Sequence, residues 1–224
     1  MGQRVEFPSN SHTCQGYFAA PKAKGPAVVV IQEWWGLVPH IEDLVERFAR
    51  EGYVAIAPDL FHGKTTKSPD EAGKMLMELD AERAVTEISG AGAYLLQRPE
   101  CSSKTYGVVG FCMGGALAKY TATKDKNVSA AVSFYGGFKK VDYDWPDMSA
   151  AIMLIAGEND RGVPATGERE LGEKLQSLGK KAEVHTYPGA DHAFFNDTRP
   201  EVYDEEASAD AWRRTLDFFR ANIK

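Results

Sequence analysis

Cysteine is scarce in this 224-residue chain: only Cys14, Cys101 and Cys112 occur. None belongs to a Cys-x-x-Cys pair and no metal-ligand spacing is present, so neither a disulfide framework nor a bound metal is indicated. No apolar run reaches the ~18 residues that a membrane helix requires, and the opening MGQRVEFPSN lacks a signal-peptide core. The expectation is a cytoplasmic protein with no membrane partner. A net positive charge is also missing. The formal net charge is −6, with acids and bases interspersed, which leaves no footprint for nucleic acid. There is no dinucleotide-binding glycine fingerprint and no P-loop, so no cofactor is expected. Repeats and low-complexity tracts are absent. What is present, 43% hydrophobic and 11% aromatic residues, suits one large core. A single domain over 1–224, as a monomer or small homo-oligomer, is the expectation.

The hydrophobic pattern predicts an α/β fold. Val5 to Phe7 and Cys14 to Ala19 read as two short strands around the turn Ser9-Asn10-Ser11, an antiparallel hairpin at a sheet edge. Continuous apolar runs follow at Ala27 to Gln32, Tyr53 to Ala57, Tyr106 to Phe111, Val128 to Phe134 and Ala150 to Ala156, with Ala182 to Tyr187 as the last strand. Runs without alternation fit strands covered on both faces, as in a parallel sheet. Helical spacing appears between them: Ile41, Leu44, Val45 and Phe48 after Pro39, then Pro69 to Leu79, Asp80 to Leu96, Ala165 to Leu178, and Glu201 to Ile223 with Trp212, Leu216 and Phe219 facing inward. A doubly wound, mostly parallel sheet of about eight strands is predicted.

Chemistry concentrates at Gly110-Phe111-Cys112-Met113-Gly114. Gly-x-Cys-x-Gly between a strand and a helix is a nucleophile elbow with cysteine at its tip. The turn brings strand and helix so close that only glycine fits at Gly110 and Gly114, and the helix end behind Cys112 favours thiolate. Ligands in such sheets bind beyond the carboxyl ends of the strands. Four loops leaving those ends carry Glu33, Cys112, Asp160 and His192. The last three follow the α/β-hydrolase order of nucleophile, acid, histidine. In that reading Cys112 attacks a carbonyl, His192 shuttles protons and Asp160 fixes the imidazole. The N–H groups of Met113 and Trp34 would hold the oxyanion, ~3 to 4 kcal/mol per donor in comparable sites. Each residue alone has a plainer reading: an inert buried thiol, a turn aspartate, an ordinary histidine, a loop glutamate capping a helix. Cys14 on its strand and Cys101 in a loop are read as inert. The joint order is what singles out the set.

The chain resembles the dienelactone hydrolase family from its second strand to its last helix. Gln32-Glu33-Trp34-Trp35-Gly36, Ala57-Pro58-Asp59-Leu60, Gly107 to Gly115, Phe134-Tyr135-Gly136-Gly137, Gly157 to Pro164 and Tyr187 to Phe194 carry the likeness. It implies an α/β-hydrolase fold without a cap domain. It also implies hydrolysis of a carboxymethylene-substituted butenolide to maleylacetate in the breakdown of chlorinated aromatics. In the family the glutamate matching Glu33 meets the cysteine at rest and takes its proton when substrate binds. The candidate substrate contacts are Trp35, Tyr135 and Phe194, aromatic residues that line an apolar pocket or else pack in the core, and Lys74, which supplies positive charge there or else is a solvated helix residue. Two arginines that hold the substrate carboxylate in the family have no match: the residue four past His192 is Asn196, and the segment 70–75 offers only Lys74, while Arg199 lies near in sequence. The missing arginines favour a second reading, a general carboxylesterase or thioesterase for neutral substrates; a ligand-binding protein that no longer turns over and redox sensing through Cys112 are two further readings.

Overall fold

The computed structural model describes residues 2–9, 12–137 and 141–224. Of the predicted first turn, Asn10 and Ser11 lie outside the described residues. The hairpin itself forms: β1 (Gln3–Ser9) and β2 (His12–Ala19) pair antiparallel, with β1 at the sheet edge. β2 pairs antiparallel with β4 (Val54–Pro58), and from there β3 (Gly25–Ile31), β5 (Cys101–Phe111), β6 (Val128–Phe134), β7 (Ala151–Gly157) and β8 (Ala182–Tyr187) continue in parallel. The described residues thus make an eight-stranded open sheet in the order β1-β2-β4-β3-β5-β6-β7-β8.

The apolar runs are explained by what covers them. In β3, Val28 and Val30 point to one face, where α1 (Pro39–Arg50) and α6 (Glu205–Asn222) pack through Ile41, Leu44, Phe48, Leu216 and Phe219. Ala27, Val29 and Ile31 point to the other, under α3 (Ala81–Leu96), α4 (Met113–Lys124) and α5 (Ala165–Ser177), through Ile88, Leu117 and Leu175. Both faces are dry, so alternation is lost. Pro39 occupies the first turn of α1, and Gly52 follows its end at φ 92°. The short α2 (Pro69–Glu78) buries only Ala72 and is capped by Ser68, whose hydroxyl accepts from Glu71 N–H.

Two boundaries differ from the sequence reading by more than two residues. β5 begins at Cys101, not Tyr106, so Cys101 is a strand residue; its first five positions alternate between half-buried and exposed and carry no apolar run. α6 begins at Glu205 because the Asp204 side chain accepts from Ala207 N–H at 3.0 Å and caps it there.

The registers align the strand ends. Ile31 lies beside Gly110, Phe111 beside Phe134, Phe134 beside Ile155 and Gly157 beside Tyr187. Residues just past these positions therefore emerge along one edge of the sheet. From β3 the chain winds to β4 on one side and, later, to β5 on the other, which opens a crevice where the order reverses.

Candidate active site

Cys112 stands at that crevice. Its backbone has φ 54° and ψ −117°, a region that non-glycine residues occupy only under constraint. The constraint is visible. Cys112 N–H donates to Phe134 O at 3.0 Å, and the Cys112 carbonyl accepts from Gly115 N–H at 3.0 Å in the first turn of α4. A Cβ on Gly110 would run into the Gly114 carbonyl, and one on Gly114 would lie 2.5 Å from the carbonyls of Ile31 and Gln32. The two glycines let α4 sit against β3 and β5, leaving the half-buried Cys112 at the tip with the helix N-terminus behind it.

The loops after β7 and β8 are tied to each other before they offer a side chain. Glu158 N–H donates to Tyr187 O and Asn159 N–H to Ala190 O, both at 3.0 Å, while Asn159 Nδ2 donates to Gly189 O at 2.9 Å. Asp160 and His192 meet on this double loop: His192 Nδ1 lies 2.6 Å from Asp160 Oδ2. Asp160 Oδ1 accepts from the N–H groups of Gly162 and Val163, each at 2.8 Å. Burial would raise the Asp160 carboxyl, but the His192 bond and the two N–H donors outweigh it and hold it below its usual range. His192 moves the other way. Burial disfavours its charge, yet the bond to Asp160 and the Cys112 sulfur together lift it to about 10.

Glu33 follows β3 and is 2% exposed. Its Oε2 accepts from Asn196 Nδ2 at 2.9 Å. Burial raises its carboxyl above the usual range; the Asn196 bond, His192 and Arg199 pull the opposite way without cancelling it. The Trp34–Gly36 turn beyond it is fixed by Gly36 at φ 94° and by Thr66 N–H donating to Trp35 O at 3.1 Å. The carboxyl, Cys112, Asp160 and His192 all line one cavity of about 570 Å³, with Trp34 and Trp35 on its wall. A strained nucleophile, an imidazole held by a buried acid, and a second buried carboxyl share one space.

The sequence profile of the dienelactone hydrolase family matches residues 14–223. The chain belongs to the dienelactone hydrolase family. Its relatives include Protein usf of Aquifex pyrophilus, 39% identical over 98% of both chains. Another, from Aquifex aeolicus, carries the provisional name carboxymethylenebutenolidase and is 35% identical over the whole of both chains. A provisionally named dienelactone hydrolase from Klebsiella pneumoniae superposes with a TM-score of 0.89 at 28% identity, covering 98% of each chain. The α/β-hydrolase fold is thereby shown, and as a member of the dienelactone hydrolase family the protein is a hydrolase of ester or lactone bonds.

This family member departs from the resting arrangement that the resemblance implies. Among the described residues no hydrogen bond joins Glu33 to Cys112; Glu33 is held by Asn196, and the sulfur interacts with His192. Three of the candidate substrate contacts are not brought to the cavity. Lys74 is exposed on α2, and it is Leu76 of that helix that reaches the cavity wall. Tyr135 and Phe194 are fully buried; the Tyr135 ring lies 5.0 Å from the His192 imidazole, its backbone has φ 39°, and its hydroxyl has no hydrogen-bond partner among the described residues. Sequence reading passed over Arg161 and took Asn196 only as a missing arginine. The signal for Arg161 was its place directly after Asp160 in a loop at a strand end.

The raised Glu33 carboxyl has a consequence for stability. In the unfolded chain it ionises near its ordinary value, whereas the folded protein keeps the proton to higher pH, so stability falls as pH rises between the two values and the penalty stays above them. Glu33→Gln is expected to raise Tm at pH 8 by roughly 2 °C or more while leaving Tm at pH 4 nearly unchanged. Calorimetry at the two pH values checks this; an equal shift at both would contradict it.

Proposed function

We propose that the chain cleaves a carboxylic ester or lactone by nucleophilic catalysis through Cys112. The observation that carries the reading is Cys112 strained at the N-terminus of α4 opposite an imidazole whose far nitrogen is held at 2.6 Å by Asp160. An imidazole held toward its charged form by Asp160 is a poor base for a thiol. Glu33 is the better acceptor, because a buried carboxylate with a raised affinity for protons can exchange one with the sulfur. Glu33 takes the thiol proton, and the thiolate attacks the carbonyl carbon. The N–H groups of Met113 and Trp34 receive the oxyanion. His192 then gives its proton to the leaving oxygen, which in a lactone stays tethered to the acyl chain. The thioester carries no charge at sulfur, so one of the causes that raised His192 is gone. The neutral imidazole takes a proton from water, hydroxide attacks, the carboxylic acid leaves, and the departing sulfur recovers its proton from Glu33. Protons and electron pairs balance over the cycle.

For the substrate, the cavity offers Arg161 and Arg199 beside Trp34, Trp35 and Leu76. Arg199 donates through Nε to Glu201 at 2.9 Å, and Arg161 has no ion-pair partner among the described residues. A carboxylate-bearing lactone of the kind released in aromatic ring degradation suits this lining, in keeping with the name of the Aquifex aeolicus relative. An unpaired thiol of this kind suits a reducing cytoplasm, and we take residues 1–224 to act as one domain. The apolar wall also favours a second reading, a carboxylesterase or thioesterase for neutral substrates. A panel of dienelactones and their methyl esters separates the two. In the first reading Arg161→Gln and Arg199→Gln raise KM for the carboxylate substrate about ten- to a hundredfold more than for its ester. Equal effects on both would favour neutral substrates.

A further inference from the structure

Asn196 is 2% exposed and lies four residues past His192, yet it faces Glu33 from 163 positions away in sequence. Its amide can point only one way. Oδ1 accepts from Thr198 N–H at 3.1 Å and from Thr198 Oγ1 at 2.6 Å, so the oxygen is committed and Nδ2 must face the carboxyl. A committed amide donates and cannot accept. A carboxylate gains more from such a donor than a carboxylic acid does, since a hydrogen bond to an ionised acceptor is the stronger one. The other charged groups acting at Glu33 are His192 and Arg199, and Tyr135 feels Glu33 and Cys112 together. Of the direct hydrogen bonds described, the one reaching the Glu33 side chain is that from Asn196.

We propose that Asn196, locked by Thr198, is a positioning residue that keeps Glu33 in its proton-accepting form beside Cys112. The inference rests on the reading of Glu33 as the acceptor of the thiol proton. Glu33 and Cys112 hold protons jointly: reactivity needs one proton on the pair and is lost when both sites are protonated. Removing the donor makes the second proton easier to add, so the acid limb moves to higher pH. The conservative substitution is Asn196→Asp, which keeps the shape and turns an acceptor toward Glu33; Asn196→Ala removes the group.

The test follows the rate of iodoacetamide alkylation at Cys112 against pH, quantified by mass spectrometry so that Cys14 and Cys101 do not contribute, together with kcat/KM against pH. Asn196→Ala is expected to move the acid-side midpoint upward by about one pH unit, the equivalent of one charge-assisted hydrogen bond. Asn196→Asp, which also brings charge, is expected to move it further. Placed on Glu33→Gln, Asn196→Ala does not move the profile. A uniform loss at every pH with the midpoint unmoved, or an Asn196→Ala shift that persists on Glu33→Gln, overturns the inference. The two layers fail differently. If Glu33→Gln alone leaves the acid limb where it was, the role of Glu33 falls and takes this inference with it. If Glu33→Gln removes the limb but the Asn196 variants do not shift it, only the role of Asn196 falls.

Discussion

Cys112→Ala is expected to lower lactone or ester hydrolysis by about 10⁴-fold or more while leaving the fold and Tm in place. The two halves of that result come from different atoms. Activity goes with the sulfur, the group at the elbow tip that faces His192. Stability is set by the backbone, and alanine keeps the Cβ that defines the strain at φ 54°. The Phe134 carbonyl still accepts from the residue's N–H, and Gly110 and Gly114 still allow the close approach of α4. Hydrolysis of a chromogenic ester beside a circular dichroism melt measures both, and retained activity would remove Cys112 from the mechanism. Cys112→Ser is expected to lose most activity as well. A hydroxyl yields its proton to a carboxyl far less readily than a thiol does, and the alkoxide is the poorer leaving group in the second half of the cycle.

Asp160→Asn is expected to cost about 10³- to 10⁴-fold in kcat, the order found when the corresponding change traps the wrong tautomer in a serine triad. Here the hydrogen bonds around Asp160 force the direction. The Gly162 and Val163 N–H groups both point at Oδ1, so an asparagine must leave its oxygen there. Its NH₂ then faces His192 Nδ1, which has to become an acceptor. The imidazole proton moves to Nε2, and the ring can no longer take a proton from water on the side of the substrate. Loss of the Asp160 charge also removes a main cause of the raised His192, so its titration, followed by NMR, is expected to fall well below 10. An unchanged His192 titration would mean that Cys112, not Asp160, dominates.

Much of this site is legible in the sequence because the fold is. AVVVIQ and AIMLIA lie dry on both faces, and such runs announce central strands; Gly110 and Gly114 announce the elbow through a steric need that the backbone confirms. What stays hidden are contacts between distant segments. Nothing in the local pattern around Asn196 says that its amide meets Glu33, because the pairing depends on the register of β3 against the loop beyond β8. Lys74 looked inward only as the nearest cation to a missing arginine; on a helix that buries a single alanine it has no reason to turn from solvent. The early residues of β5 were unreadable because Ser102 and Lys104 face solvent.

The sheet order also divides the machinery by mechanical security. Cys112 hangs from β5, an interior strand bonded to β3 on one side and β6 on the other, whereas His192 follows β8, the outermost strand of its side. Edge strands open at lower free energy than central ones. Local opening at β8 is therefore expected to displace His192 while Cys112 stays seated on β5, a loss of function that does not require the core to unfold.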